Sequence, residues 1–255
     1  MIERVPRAAL VTGAAKRIGR AIALDLARQH FAVAVHYGHA KAEAEAVAAE
    51  IARAGGRAVA LHADLAREAD VAALLPCAAE ALGPLGILVN SAARFERDEA
   101  LNATRQTWDL HMEANLRAPF VLTQAFARQL PPEAEGVVVN MLDQRVWRPG
   151  PHFISYTLSK AGLWTLTRTL ALALAPRIRV NAIGPGPVLP SPRQSEEQFA
   201  RQWRATPLGR GSTPEEICAA LRFIIAAPAM TGQMIALDGG QHLVWPPASS
   251  RPPEE

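Results

Sequence analysis

The sequence predicts an α/β fold: a doubly wound, seven-stranded parallel sheet flanked by helices on both faces, in a single domain. Two observations carry the prediction. Short runs rich in Val, Ile and Leu alternate with longer segments of helical period, the pattern of βαβ units around a parallel sheet. The 255 residues are 49% hydrophobic, with no break in composition before the tail, which suffices for one sizeable core.

Taken in order, strands are expected near Ala8–Val11, Ala32–His36, Ala58–His62, Ile87–Asn90, Val137–Asn140, Val180–Ile183 and Met234–Leu237. Helices fill the intervals. Ile18–Gln29 follows the first strand, and Ala42–Ala54 stops at the pair Gly55 and Gly56. Near the end, Thr213–Ala226 opens with Thr213 as cap, Pro214 in the first turn, and Glu215 and Glu216 at the positive end of the helix. Residues 185–211 are rich in Pro, Ser, Gln and Arg and lie between a strand and a helix. That is the place for a mobile lid, about 187–211, over a site at the carboxyl ends of the strands. Residues 1–245 are therefore read as the domain and the Pro-rich 246–255 as a frayed tail.

Composition excludes some functions. A net charge of only +3, from scattered arginines, offers no basic footprint for nucleic acid. The start runs into Ala8-Ala9-Leu10-Val11 too soon for a signal peptide, and Leu163–Ala175 is interrupted by Arg168 and is too short for the roughly 20 residues of a membrane span. A cytoplasmic protein with no membrane partner is expected. Cys77 and Cys218 lie in apolar helical contexts far from other ligating residues, so they read as two small buried thiols, with no metal site.

The first strand leads into Thr12-Gly13-Ala14-Ala15-Lys16-Arg17-Ile18-Gly19 and then a helix. Gly13 permits a tight turn and Gly19 close approach, while backbone N–H groups at the helix start face an anion. This strand, turn and helix context points to a dinucleotide pyrophosphate. After the second strand stand His36-Tyr37-Gly38-His39-Ala40-Lys41, with no carboxylate to hold a ribose 2′-hydroxyl. Arg17, His36, His39 and Lys41 are instead expected to face a 2′-phosphate, so NADPH/NADP+ is the expected cofactor.

Tyr156 and Lys160 are four residues apart on a helix starting near Ser155, which places their Cβ atoms roughly 5 to 6 Å apart on one face. A free tyrosine, with its pKa of about 10, is a poor acid at neutral pH. A lysine ammonium nearby favours the phenolate, and a tyrosine tuned in this way can protonate a substrate atom as hydride arrives.

With these residues in view, the sequence resembles the short-chain dehydrogenases/reductases over residues 8 to about 243. The ordered matches are the Thr12 to Gly19 turn, Asp64-Leu65, Asn90-Ser91-Ala92, Asn115, Tyr156 to Lys160, Arg179-Val180-Asn181, Gly184-Pro185-Gly186 and Leu237-Asp238-Gly239-Gly240. The resemblance implies a Rossmann-type fold in which Asp64 and Leu65 contact adenine. It implies also that Asn90, Ser91 and Ala92 back the cofactor, Asn115 orders a proton-relay water, and Pro185 and Gly186 border the nicotinamide. Within the family the chain is most similar to the pteridine reductases, on Gly13 to Arg17, His36-Tyr37 and Asn140-Met141-Leu142-Asp143. Ser91 stands in place of a usual second asparagine, and Ala93 in place of a serine that touches the pterin.

Asp143 lies thirteen residues before Tyr156, where most relatives carry a catalytic serine. An ionised aspartate there would repel the oxyanion that develops on a ketone. A pteridine offers ring N–H and amino donors beside a C=N bond, so a carboxylate can accept from it or share in proton delivery. By the same resemblance, Phe95 stacks the pterin and Arg17 reaches the same ring. The expected activity is NADPH-dependent reduction of a dihydropterin or dihydrofolate, with Asp143, Tyr156, Lys160 and Asn115 in the catalytic group. The alternatives are reduction of another carbonyl or imine, such as a 3-oxoacyl compound, and NADPH sensing without turnover. The excess apolar surface of the catalytic helix, with Leu158, Leu163, Trp164, Leu166, Leu170, Leu172 and Leu174, matches that of Phe120 to Leu130, and the resemblance makes these a dimer contact within a homo-tetramer.

Overall fold

The structure is a computed structural model that describes residues 4–191 and 193–244. Seven strands form one parallel sheet: β1 Ala8–Val11, β2 Ala32–Tyr37, β3 Ala58–His62, β4 Ile87–Asn90, β5 Gly136–Met141, β6 Ile178–Pro185 and β7 Met234–Leu237. Their spatial order is β3-β2-β1-β4-β5-β6-β7. The sequence placed all seven. It undercounted β2, β5 and β6 by one to four residues, because the added ends include Gly136, Gly184 and Pro185, which read locally as turn residues but are held by pairing to neighbouring strands.

The helices are α1 Arg17–Arg28, α2 Lys41–Arg53, α3 Glu68–Leu82, α4 Arg105–Met112, α5 Ala118–Gln129, α6 Ile154–Ala173, α7 Glu196–Arg204 and α8 Pro214–Ala226. A π-turn, Glu113–Arg117, joins α4 to α5. Thr213 caps α8 as expected, and does so through a reciprocal box with Glu216.

Strand alternation divides the core between the two faces. Ala9 and Val11 of β1 pack with Ile22 of α1, Ile51 of α2 and Leu221 of α8. Ala8 and Leu10 point the other way, to Leu74 of α3, Phe126 of α5 and Leu170 of α6. Each fully buried leucine or isoleucine contributes about 1.5–3 kcal/mol, so both layers hold the sheet firmly. On α3 the buried stripe is Val71, Leu74, Leu75 and Ala78. Cys77 falls off that stripe and is exposed, a correction to the expected pair of buried thiols; only Cys218 is buried.

The chain winds outward in one direction through β1, β2 and β3 and in the other through β4 to β7, so the switch lies between β1 and β4. A crevice opens there at the carboxyl ends of the strands. The Pro-rich tail 246–255 lies outside the described residues. Among the described residues no helix is long and apolar enough to cross a membrane.

Candidate active site

A cavity of about 470 Å³ occupies that crevice. Its wall collects Gly13, Arg17, Ile18 and Gly19 from the β1–α1 turn, Ser91, Ala92 and Phe95 after β4, Asp143 after β5, Tyr156 and Lys160 from α6, and Pro185 and Gly186 at the end of β6. Segments far apart in sequence therefore meet at one place.

The turn is built from its own backbone. Gly13 is in the left-handed region at φ +64°, and a Cβ at Gly19 would stand 2.2 Å from the Gly13 carbonyl oxygen. Only glycine lets the helix start so close to the strand. Helix α1 then begins with no side-chain cap and no acid in its first turn, leaving N–H donors at its positive end beside Lys16 and Arg17. Those donors and that charge suit a pyrophosphate. Thr12, the first residue of the motif, ties this turn to β4: its Oγ1 accepts from the N–H groups of Ser91 and Ala92, each at 3.0 Å.

The cations grouped for a 2′-phosphate are dispersed. His36 is only 2% exposed, and its Nδ1 accepts from the Gly13 N–H at 3.0 Å while Nε2 lies 3.0 Å from the Ala63 carbonyl oxygen. Burial pushes the imidazole down to about 4, so it is neutral near pH 7. His36 therefore locks the nucleotide turn and does not face a phosphate, which corrects the expectation. Arg17 donates to the carbonyls of Pro190 and Leu189, at 2.7 and 3.1 Å, and so straps the turn to the segment after β6. His39 stays exposed beside Arg94, at 3.3 Å, and Lys41 pairs with Glu45 at 3.8 Å. No carboxylate stands at the end of β2, where Tyr37 rests against His62.

Asp64 and Leu65 follow β3, outside the cavity wall; the Asp64 carboxylate accepts from the Ala66 N–H at 3.0 Å. The Asn90 side chain turns away from the cavity and donates to Asn140 Oδ1 at 2.8 Å. Asn115 sits in the π-turn and is fully buried. Its carboxamide holds the Arg94 backbone at both ends, at 2.7 and 3.0 Å, and donates to Ser159 Oγ at 3.0 Å. Those bonds make its side chain a strap between the loop after β4 and α6.

At the centre, the Tyr156 hydroxyl donates to Asp143 Oδ2 at 3.0 Å. The other carboxylate oxygen accepts from the Arg145 N–H at 2.8 Å, which fixes its direction. Lys160 is 2% exposed, lies 5.8 Å from the centre of the Tyr156 ring and donates to the Met141 carbonyl at 2.7 Å. Burial lowers its pKa to about 8, against the opposing field of Asp143, so the ammonium form still dominates at pH 7.

Phe95 completes the wall. Its ring stacks on Phe153 at 4.5 Å and meets Tyr156 edge-on at 4.6 Å. Phe153 holds a left-handed backbone, φ +59°, at the start of α6, a conformation costing roughly 1–2 kcal/mol in a residue with a Cβ. Below it, Asp98 accepts from both the N–H and the hydroxyl of Ser155, while His111 bonds Ser155 Oγ at 2.7 Å and accepts from the Glu96 N–H at 3.0 Å. Burial holds the His111 imidazole below its ordinary value. This buried group, which no local motif announced, joins the Phe95 loop to the start of the Tyr156 helix.

The segment after β6 forms the opposite wall through Val188, Leu189, Phe199 and Gln202. It carries α7, capped by Ser195 and Gln198, and Arg193 bonds the Phe95 carbonyl at 3.1 Å and Glu96 at 2.7 Å. Among the described residues no group of His, Cys, Asp and Glu is disposed to hold a metal ion.

A family model described as Enoyl-(Acyl carrier protein) reductase matches residues 13–242. Curated relatives include a 3-oxoacyl-(acyl-carrier-protein) reductase of Synechocystis sp., 32% identical over 91% of this chain and 95% of that protein. Another is the 3-oxoacyl-(acyl-carrier-protein) reductase FabG of Staphylococcus aureus, 32% identical over 94% of this chain and 100% of its own length. Among solved structures, FolM alternative dihydrofolate reductase 1 from Brucella canis, complexed with NADP, is 46% identical with a TM-score of 0.94, covering 98% of this chain and 100% of that one. The Brucella suis counterpart, also with NADP, is 47% identical with a TM-score of 0.92 over 97% and 99% of the two chains. A blue fluorescent protein from a metagenomic library, in complex with NADPH, is 30% identical with a TM-score of 0.87 over 93% and 99%.

Proposed function

The chain belongs to the short-chain dehydrogenase/reductase family, and from that premise we propose that it is an NADP(H)-dependent reductase of a dihydropterin or dihydrofolate C=N bond. NADP(H) is the cofactor found in all three solved neighbours. Gly13 to Gly19 would hold its pyrophosphate, the His39, Lys41 and Arg94 side its 2′-phosphate, and Pro185 and Gly186 its nicotinamide. When bound it supplies the hydride.

The observation that carries the substrate reading is the Tyr156 hydroxyl bonded to the Asp143 carboxylate inside a wall that also holds Phe95. A substrate nitrogen entering there takes over the Tyr156 O–H and receives its proton. The freed Asp143 oxygen then accepts from a ring N–H or amino group of the same heterocycle. Lys160, close to the ring, stabilises the phenolate that remains. Phe95, backed by Phe153, offers a flat apolar surface for stacking. The 46–47% identity to the two FolM enzymes supports this reading.

The 3-oxoacyl reductases among the relatives support a second reading, reduction of a ketone. Asp143 weighs against it, since a carboxylate repels a developing alkoxide. The test is NADPH oxidation against dihydrobiopterin, dihydrofolate, dihydromonapterin, ketones and cyclic imines, with wild type and Asp143→Ser. Turnover of a dihydropteridine by the wild type, lost by at least tenfold in the variant, is expected; turnover of ketones alone by the wild type would overturn the proposal.

Assembly is proposed on the same basis. Leu172 is 83% exposed on α6 and Leu158 is also exposed, so this face suits burial against a second copy in a homodimer or homotetramer.

A further inference from the structure

Gln144 follows Asp143 directly and opens a short 3-10 turn, Gln144–Val146, at the end of β5. Its backbone is held in place: the Gln144 carbonyl accepts from the N–H groups of Trp147 and Arg148, at 3.0 and 3.2 Å, and the preceding carboxylate caps the turn. The side chain is 8% exposed and lines the active-site cavity, yet its buried Oε1 has no hydrogen-bond partner. A buried carboxamide oxygen without a donor is unfavourable for folding, and buried polar groups in folded proteins are nearly always satisfied. A hydrophobic side chain of the same size would serve the fold better.

We infer that Gln144 is a substrate-specificity residue, whose carboxamide pairs with the hydrogen-bonding edge of the heterocycle that Asp143 and Tyr156 engage. The inference rests on the pteridine reading above and deepens it. A carboxamide is both a donor and an acceptor. A pteridine edge carries amino and ring N–H donors next to ring nitrogen or carbonyl acceptors, which match both functions of the carboxamide. A simple ketone offers acceptors alone and would leave Oε1 as it stands. The two adjacent residues thus divide the work: the carboxylate meets the ring beside the proton donor, and the carboxamide reads whether the ring has donors.

Gln144→Met and Gln144→Glu test this, with KM, kcat and thermal stability measured for each. Methionine keeps the volume and removes the polar group; it should raise KM for a dihydropteridine by roughly 10- to 100-fold, since one or two hydrogen bonds are lost, with little change in kcat or in KM for NADPH. The free Gln144→Met protein should melt about 2–4 °C above wild type, because an unsatisfied group has been removed. Glutamate keeps an acceptor but loses the carboxamide N–H donor, so it should recover only part of the affinity. If the wild type reduces dihydropteridines and Gln144→Met leaves their KM unchanged, or melts below wild type, Gln144 is a structural residue and the inference fails while the pteridine reading stands. If the wild type reduces no dihydropteridine, both fail together.

Discussion

Acidification should loosen the nucleotide turn through His36. The ring is buried, with Nδ1 receiving the Gly13 N–H at 3.0 Å, so protonation would set one N–H against another. Its pKa falls from 6.5 to about 4, about two and a half pH units, which at ~1.36 kcal/mol each is worth roughly 3 kcal/mol. The sign follows from proton counting. The folded value is depressed, so between about pH 4 and 6.5 the unfolded chain binds more protons, and stability rises with pH across that window. The contribution is complete above about pH 6.5 and lost as the pH falls to about 4. Urea denaturation of wild type and His36→Asn between pH 7.5 and 4 isolates this group, because every other titrating residue is shared. Asn keeps an acceptor for Gly13 and has no titration of its own. The stability of wild type relative to the variant should fall by about 3 kcal/mol from pH 7 to pH 4. Parallel curves would show that His36 is not held neutral by its burial, and the account of the turn would be wrong.

Tyr156→Phe should leave NADPH binding, read by fluorescence titration, nearly unchanged while lowering turnover by roughly 10²- to 10⁴-fold, the usual worth of a positioned acid; full turnover would refute its role. Gly19→Ala places a Cβ 2.2 Å from the Gly13 carbonyl oxygen, so it should cost about 1–3 kcal/mol by denaturation and weaken NADPH binding at least tenfold. An unchanged Kd would show that the turn does not hold the pyrophosphate. Leu172→Glu should shift the molecular mass in light scattering toward the monomer if α6 forms the contact between copies; a monomeric wild type would end that proposal.

Much of the fold was legible locally, for a physical reason: a strand buried on both faces has to be apolar along its length, and helices that cover it have to be apolar on one stripe. Gly13 and Gly19 were legible because backbone crowding admits no other residue, and Tyr156 with Lys160 because helical periodicity alone puts them on one face. Asp143 was placed opposite Tyr156 by the family resemblance, where relatives carry a serine, and the 3.0 Å bond joins them.

His36 shows where local reasoning ends. As a base after the second strand it suggested an anion, but which way a side chain points at a strand end depends on strand pairing, and β2 lies between β1 and β3. The ring is therefore closed in and spent on backbone bonds. Arg17 was assigned by charge, while its contacts depend on the segment after β6, more than 170 residues away. Gln144 and the Asp98, Ser155 and His111 group carried no motif at all, since each matters only through partners brought near by the fold. The sequence by itself determined the layers, the nucleotide turn and the Tyr156 and Lys160 pair, set by local sterics and periodicity, while Asp143 and Phe95 were read through the family resemblance. Which polar groups were consumed in holding the site together, and which were left facing the cavity, was decided only by tertiary packing, because a hydrogen bond needs both of its partners in place.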